Sequence, residues 1–365
     1  MIVQSDELLL LHAILEKSDS RAIEYYKKWI TITNLDNVEG GSFRLLPLLY
    51  KRLSKTGQEI PHIEKLKGVY RQNLYKNSLL FHKFLSILVE LEKREIPVIV
   101  LKGIALIAAY YEDTGIRPMS DADFLVPEED VERTLKYFKE LGWQERNGSW
   151  LDKPVKHIHS LDLISPDHYE MDIHWRAFYQ CSWDRADDEL WKQTEEVSFK
   201  GFKIKILNPT QQILHNCAHG LRWNTISSIR WIVDVLTVLE KRSDAIDWAM
   251  LVSEAASRNL SLTMSYALKF LKNEFDAPVP GEVLNQLDRL PKDSQEIRFF
   301  RVLTSPPNLR NRIYKKWLMH SNSMGNASFL RKAAAFPDFI SKAFYQVPFY
   351  IRKRIRQRKI QRHSS

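Results

Sequence analysis

The N-terminal part of the chain, residues 1–95, has its apolar residues at helical spacing. Between Ile63 and Glu95 the apolar side chains recur every three or four positions, which places them on one face of a helix. Segment 37–42 contains Gly-Gly-Ser and predicts a loop between two helical groups. Pro97 disfavours helical geometry in the residue before it, so the long helix is expected to end near Glu95.

A different pattern follows this proline. Residues 98–101 are apolar and mostly β-branched, which predicts a short strand, and Gly103 begins a helix that is expected to reach Tyr111. Residues 124–126 are apolar again and continue a second predicted strand, the one that contains Asp121 and Asp123. Pro127 and the three acidic residues after it predict another helix, because proline suits the first turn and acids favour a helix N-terminus.

Two segments farther along alternate polar and apolar residues, as strands do. They span residues 157–164 and 169–175, and the Ser-Pro-Asp-His between them is typical of a turn, so we expect a hairpin. Beyond Pro209 the spacing is helical to about residue 300, and 305–308 is the predicted linker. The predicted regions are an N-terminal helical region (1–95), a strand-containing core (96–207), a helical domain (208–304) and a C-terminal region with a basic tail (305–365).

The composition is that of a globular protein with enough residues for a sizeable core. The chain has 365 residues, of which 44% are hydrophobic and 27% charged. No apolar run approaches the roughly 18 residues that span a bilayer, and the N-terminus lacks the features of a signal peptide. Cys181 and Cys217 are the two cysteines, which excludes a disulfide framework and a Cys-based zinc site. We therefore expect a cytoplasmic protein.

The positive charge is concentrated at one end. Residues 350–365 contain seven basic and no acidic side chains, and setting those seven aside reduces the net charge from +9 to +2. Aromatic residues are mixed with these cations, which favours contact with anionic lipid or with nucleic acid. A solvated terminus is the alternative.

Asp121 and Asp123 are the residues most informative about chemistry. Side chains two positions apart on a strand point to the same face, so the two carboxylates project together. They repel each other unless a cation lies between them. Mg²⁺ suits such a pair, because it takes one or two carboxylates and completes its shell with water and phosphate oxygens. The pair indicates phosphoryl or nucleotidyl transfer.

The order of elements around this pair resembles the DNA-polymerase-β-type nucleotidyltransferase superfamily. That superfamily combines a glycine turn, an Asp-x-Asp strand and a third carboxylate on a later strand. The matching residues here are Gly103, Asp121, Asp123 and Asp172. The resemblance implies an α+β fold, in which a small mixed β-sheet core is flanked by N-terminal and C-terminal helical regions.

A closer resemblance is to bacterial proteins known only as uncharacterised nucleotidyltransferases, and it covers roughly residues 40–260. The chain departs from the broader superfamily at Ile104, where a second Gly or a Ser commonly helps to hold the triphosphate. The motifs that carry the resemblance are, in chain order, Leu101-Lys102-Gly103, Tyr110-Tyr111, Arg117-Pro118-Met119-Ser120-Asp121-Ala122-Asp123, Asp172-Ile173-His174-Trp175, His219 and Arg230-Trp231-Ile232-Val233-Asp234.

The resemblance implies a metal site of three carboxylates. Asp121, Asp123 and Asp172 would hold Mg²⁺, with Mn²⁺ as the alternative ion. Asp172 would lie close to the acceptor and help to deprotonate it. Glu170 and Asp162 occupy neighbouring alternate positions, and each is a competing candidate for the third carboxylate.

A second set of residues would face the nucleotide. Lys102 and Arg117 would neutralise phosphate charge, and Ser120 would lie beside them. The backbone N–H groups after Gly103 begin a helix and would also favour phosphate. Arg117 could instead pair with an aspartate, either Asp113 or the first acid of the Asp-x-Asp motif.

Histidines supply the remaining candidates. His174 and His219 would contact the acceptor or nucleotide, or support the site, and a hydrogen-bonded core histidine is the alternative for His174. His215 and His219 have a spacing that can bind zinc, but no third ligand is evident. Arg230 and Asp234 are spaced for an i, i+4 pair that would brace the helical domain against the core.

The resemblance implies a Mg²⁺-dependent enzyme that binds ATP or another NTP. It would transfer the NMP to an acceptor hydroxyl or phosphate and release pyrophosphate. A small molecule, a saccharide precursor, a peptide or a protein could be the acceptor. A nucleic-acid template is not expected, because the catalytic segment carries no dense basic groove. The alternatives are a catalytically inactive nucleotide-binding or interaction protein, and a module that binds nucleic acid or a membrane surface through its basic tail.

Overall fold

A seven-stranded sheet with helices before and after it forms the centre of the fold, so the predicted α+β class is confirmed. The computed structural model describes residues 3–146 and 158–324, apart from residues 182, 184, 225 and 307, together with residue 336. The predicted interaction of the basic tail, residues 350–365, lies outside the described residues.

The N-terminal region is helical, as predicted. The predicted loop at 37–42 is partly wrong, because Gly40–Phe43 form a short helix. The Glu39 carboxylate accepts the Gly41 N–H at 3.0 Å and so provides the N-terminal cap of that helix. The helices of this region are α1 (Ser5–Leu15), α2 (Asp19–Ile32), α3 (Gly40–Phe43), α4 (Leu46–Ser54) and α5 (Ile63–Lys93).

All described strands lie between residues 99 and 206, within the predicted core. The division of the chain into four regions stays a prediction. The elements of the core are β1 (Ile99–Leu101), α6 (Lys102–Ala109), β2 (Asp121–Leu125), α7 (Val131–Glu140), β3 (Gln144–Glu145), β4 (Ser160–Ile164), β5 (Glu170–His174), α8 (Asp188–Lys192), β6 (Glu195–Phe199) and β7 (Phe202–Ile206).

Two hairpins complete this core, and the sequence predicted one of them. β4 and β5 pair antiparallel, which confirms the predicted hairpin. β6 and β7 form a second antiparallel hairpin, which the sequence reading missed. Lys200 and Gly201 connect these strands with φ values of 49° and 84°, and positive φ at both positions is typical of a tight two-residue turn.

The strand order of the sheet is β3-β4-β5-β2-β1-β7-β6. β2 is parallel to β5 and antiparallel to β1, so strands distant in sequence become neighbours. Phe124 packs toward α5, where its ring lies 6.0 Å from that of Phe84. Leu125 points to the opposite face and joins a core shared with the helices that follow the sheet. Asp121 and Asp123 share the face of Leu125, because side chains alternate along a strand.

The segment after Pro209 is helical, as predicted. Among the described helices, none combines the length and the apolar character that crossing a membrane requires. The helices are α9 (Pro209–Gly220), α10 (Arg230–Arg242), α11 (Trp248–Ser257), α12 (Ser261–Phe275), α13 (Gly281–Arg289), α14 (Ser294–Thr304) and α15 (Leu309–Ser323).

Gly220, at the end of α9, allows α10 to approach closely. A Cβ atom at this position would lie 2.1 Å from Cγ and 2.3 Å from Cβ of Trp231. We expect Gly220→Ala to reduce the free energy of unfolding by about 3 kcal/mol, because the tryptophan Cβ is anchored to its backbone and cannot turn away. Urea unfolding followed by circular dichroism measures this change.

Gly68→Ala is the matched control. A Cβ atom at Gly68, in the second turn of α5, would meet nothing within 4 Å. Alanine has the higher helix propensity, so this variant should be as stable as the wild type or up to about 1 kcal/mol more stable. Equal destabilisation by both substitutions would contradict the proposed contact between α9 and Trp231.

Candidate active site

The pairing of β2 with β5 places carboxylates from two distant segments side by side. Asp123 lies opposite Asp172 in the parallel register, and Asp162 lies opposite Asp172 on the other side. Residues in register across neighbouring strands point to the same face, so these side chains form a row across three strands. The row lies on the face that also carries Asp121.

Two of these side chains, Asp123 and Asp172, form a compact group of potential metal ligands together with His174. One ligand atom each from Asp123, Asp172 and His174 lies within 4.8 Å of the others. The His174 Nε2 atom is 2.8 Å from Asp172 Oδ2 and 3.3 Å from Asp123 Oδ1. Asp121 is not a member of this group.

The donor set of the group fits a divalent ion. Asp172 Oδ1 and His174 Nδ1 are buried and have no hydrogen-bond partner in the part of the chain that the structure describes. Two carboxylates suit both Mg²⁺ and Mn²⁺, and an imidazole nitrogen beside them is a ligand typical of transition metals. The group can therefore hold a metal, although the ligands alone do not select between these two ions.

The surroundings of the carboxylates determine their ionisation. Burial opposes the charge on Asp123, but the Lys102 ammonium and His174 hold the pKa of this carboxyl below its usual value. Burial also acts against Asp172, yet the nearby His174 imidazole holds its pKa well below the usual range. Burial and the neighbouring Asp123 raise the pKa of Asp121 to about 6. Asp123 and Asp172 are therefore anionic at neutral pH and available to a cation.

Lys102 is the cation closest to this group. Its Nζ atom lies 2.5 Å from Asp123 Oδ1, 3.4 Å from His174 Nε2 and 3.6 Å from Asp172 Oδ2. Its φ of 47° is in the left-handed region, which favours glycine. The sequence predicted a lysine at the phosphates, and the structure places its ammonium against the metal-ligand group.

Arg117 makes a bidentate contact with the helical domain. Its Nε and Nη2 atoms each donate a hydrogen bond of 2.8 Å to Asp234, and both side chains are about 6% exposed. Tyr111 donates to the same carboxylate at 2.8 Å. Arg117 therefore pairs with neither Asp113 nor Asp121.

Asp234 is thus engaged by Arg117, and the i, i+4 ion pair predicted with Arg230 is not formed. Arg230 instead donates a hydrogen bond of 2.5 Å to the carbonyl of Pro118. Helix α10 therefore binds the Arg117–Pro118 segment through two side chains, one turn apart. The predicted bracing of the helical domain against the core is present, but through these longer-range contacts.

Gly103 permits this segment to lie against the start of α6. A Cβ atom at Gly103 would lie 2.5 Å from Met119 Sδ and 2.9 Å from Arg117 Nη1. Met119 has a flexible side chain, but Arg117 is fixed by its ion pair with Asp234. The glycine is therefore needed for the close packing of this segment against α6.

A cleft of about 420 Å³ brings together three parts of the chain. Lys102, Gly103, Arg117 and Ser120, the residues predicted to face the nucleotide, all line it. The N-terminal and C-terminal helices complete the walls. Other side chains that line the cleft include Phe43, Arg44, Lys76, Asp121, Asp123, His219 and Arg230.

The sequence reading missed Phe43, Arg44 and Lys76. Phe43 and Lys76 lie on helices and Arg44 lies in the turn between α3 and α4, all far from the motifs in sequence. A lone cation in such a region resembles a solvated residue. His219 lines the cleft, as the resemblance implied, although its role stays a prediction. Burial lowers the pKa of His215 to about 3, and the described residues include no metal-ligand group with either of these histidines.

The fold and this acidic site define an enzyme of the nucleotidyltransferase class. The comparison with protein families agrees: residues 42–276 match the family described as uncharacterised nucleotidyltransferases. The chain belongs to this family, which confirms the resemblance found in the sequence. The match begins within the N-terminal helices, so the region that matches the family includes Phe43, Arg44 and Lys76.

Solved structures show a more remote likeness. Lincosamide antibiotic adenylyltransferase LnuA with bound lincomycin is 14% identical and covers 43% of this chain and 94% of its own, with a TM-score of 0.31. The antibiotic-resistance factor ANT(2'')-Ia is 14% identical over 54% of this chain and 99% of its own, with a TM-score of 0.35. An antigenic nucleotidyltransferase-like protein from Paracoccidioides brasiliensis is 15% identical over 62% of this chain and 97% of its own, with a TM-score of 0.37.

Such low identities do not indicate a substrate for this chain. Among curated proteins, none matches it at a significant level.

Proposed function

We propose that this enzyme transfers an NMP from an NTP to an acceptor hydroxyl or phosphate and releases pyrophosphate. The observation that carries the proposal is the group formed by Asp123, Asp172 and His174 beside a cleft with cationic walls. The carboxylates would bind a divalent ion, and the cationic side chains of the cleft would bind the triphosphate beside it.

Asp123 and Asp172 would hold Mg²⁺ or Mn²⁺, and Asp121 would add a third carboxylate from the same face of β2. The bound ion would polarise the phosphate and acidify the acceptor hydroxyl. His174, at 2.8 Å from Asp172, would fix the orientation of that carboxylate. Asp172 would also accept the proton of the acceptor.

The cleft would take the nucleotide. Ser120 and the N–H groups after Gly103 would donate hydrogen bonds to phosphate oxygens. Arg44 and Lys76 would add positive charge from the N-terminal helices. Arg117 has its Nε and Nη2 atoms committed to Asp234, so we assign it chiefly to positioning the segment that precedes the catalytic strand.

We propose a small molecule, a saccharide precursor, a peptide or a protein as the acceptor. We also propose a cytoplasmic location and a contact of residues 350–365 with an anionic surface.

The test is a labelling reaction with each of the four α-³²P-labelled NTPs in turn, in the presence of Mg²⁺ or Mn²⁺ and a cell lysate separated by size. We expect one fraction to acquire label and pyrophosphate to appear in parallel. Asp172→Asn should give neither product, because it removes an anionic ligand and the acceptor of the proton. Equal labelling by the variant would reject the catalytic assignment. NTP binding without label transfer by the wild type would favour the inactive nucleotide-binding alternative.

A further inference from the structure

Lys102 occupies a strained backbone position at the centre of the candidate site. It lies between β1 and Gly103, and its φ of 47° is in the left-handed region, which residues with a side chain rarely adopt. Such conformations persist where the surrounding contacts require them, and they are frequent at ligand sites. The ammonium of Lys102 contacts the acidic group.

The ammonium lies where a metal ion would be bound. Its Nζ atom contacts Asp123 at 2.5 Å and lies within 3.6 Å of both Asp172 and His174. These three residues are the ligand group described above. A divalent ion held by the same side chains would lie in close contact with the Lys102 ammonium. The repulsion between the two cations is large in a buried site. Lysine and metal therefore exclude each other.

The cleft offers the Lys102 ammonium a second position. Its side chain lines the cleft that is proposed to take the triphosphate, alongside Lys76 and Arg44. The lysine side chain has four methylene groups joined by rotatable bonds, so Nζ can move from the carboxylates to the cleft without a change in the backbone. A triphosphate is the anion that would attract it there.

We propose that Lys102 is a tethered counter-ion that occupies the metal site until an NTP draws it into the cleft. The proposal rests on the proposed function, because it needs both a metal and a nucleotide. It makes nucleotide binding and metal binding mutually favourable, since each ligand depends on the same displacement of one side chain. It also keeps the carboxylates neutralised before the nucleotide arrives.

Lys102→Gln tests this directly, with Mn²⁺ alone as the probe and electron paramagnetic resonance as the readout. We expect the variant to bind Mn²⁺ at least about tenfold more tightly than the wild type, because the competing charge is gone. In a separate metal-free measurement with labelled NTPs in EDTA, the variant should bind nucleotide more weakly. Lys102→Arg keeps the charge and should bind Mn²⁺ as the wild type does.

Lys76→Gln is the matched control. Lys76 lines the same cleft, but its charge is not paired with the acidic group. Its substitution should weaken nucleotide binding and leave Mn²⁺ binding unchanged. Thermal unfolding of every variant identifies any loss that is due to misfolding.

The outcomes separate this proposal from the proposed function. If the wild type and Lys102→Gln bind Mn²⁺ equally while Asp123→Asn does not bind it, the metal site is supported and the counter-ion proposal is overturned. If folded Lys102→Gln does not bind Mn²⁺ at all, the metal site itself is rejected together with this proposal.

Discussion

Asp123→Asn is expected to abolish Mn²⁺ binding and to slow nucleotidyl transfer at least about a thousandfold. Asp123 provides one of the two carboxylates in the ligand group, and a neutral amide cannot replace its charge. A metal ion contributes several kcal/mol of transition-state stabilisation, and each 1.36 kcal/mol corresponds to a factor of about ten in rate. Pyrophosphate release measures the rate, and electron paramagnetic resonance measures the bound ion.

The matched control is Asp167→Asn. Asp167 lies in the turn between β4 and β5, is 56% exposed and pairs with Lys83 at 2.7 Å. A surface pair of this kind contributes little, so the variant should retain its rate within about twofold. If Asp123→Asn folds normally and keeps more than about a tenth of the wild-type rate, then Asp123 is not a metal ligand in the reaction.

Asp234→Ala is expected to reduce the free energy of unfolding by about 3–5 kcal/mol. The substitution leaves the Arg117 guanidinium buried without its bidentate partner and removes the acceptor of the Tyr111 hydroxyl. An isolated buried charge is far more costly than the loss of a surface pair. Asp234→Asn should have a smaller effect, because its amide oxygen still accepts a hydrogen bond. Urea unfolding of both variants gives the comparison.

Lys241→Ala provides the control on the same helix. Lys241 joins α10 to Glu112 at 2.7 Å, with side chains 43% and 80% exposed. Its removal should cost less than about 1 kcal/mol. Similar losses for Asp234→Ala and Lys241→Ala would show that the Arg117 pair does not anchor the helical domain.

The helices and the central strands could be predicted because their signals are local. The long helix α5, the strands β1 and β2 and the hairpin of β4 with β5 each follow from the spacing of apolar residues within one segment. The hairpin of β6 with β7 was missed, although Gly201 lies at its turn. Phe202, Ile204 and Ile206 alternate with two lysines as in a strand, whereas β6 is mostly polar and gives a weaker signal.

The candidate site was predicted in part. The Asp-x-Asp motif and Asp172 were found because two acids one residue apart and an ordered set of motifs are visible in the sequence. The partners of these residues were not predicted. Arg117 pairs with Asp234, 117 positions away, and the sequence offered nearer aspartates that were equally plausible. Such choices depend on which helices pack together.

The sequence by itself therefore determined the class of chemistry, the α+β composition and the order of the elements. These follow from the types of residue present and from the spacing of apolar and polar residues within single segments. Only the tertiary structure decided that β2 lies beside β5, that His174 joins Asp123 across 51 positions, and that the Lys102 ammonium lies against both. The physical reason is that strand pairing and helix docking depend on burying surfaces from distant segments, which no local pattern encodes.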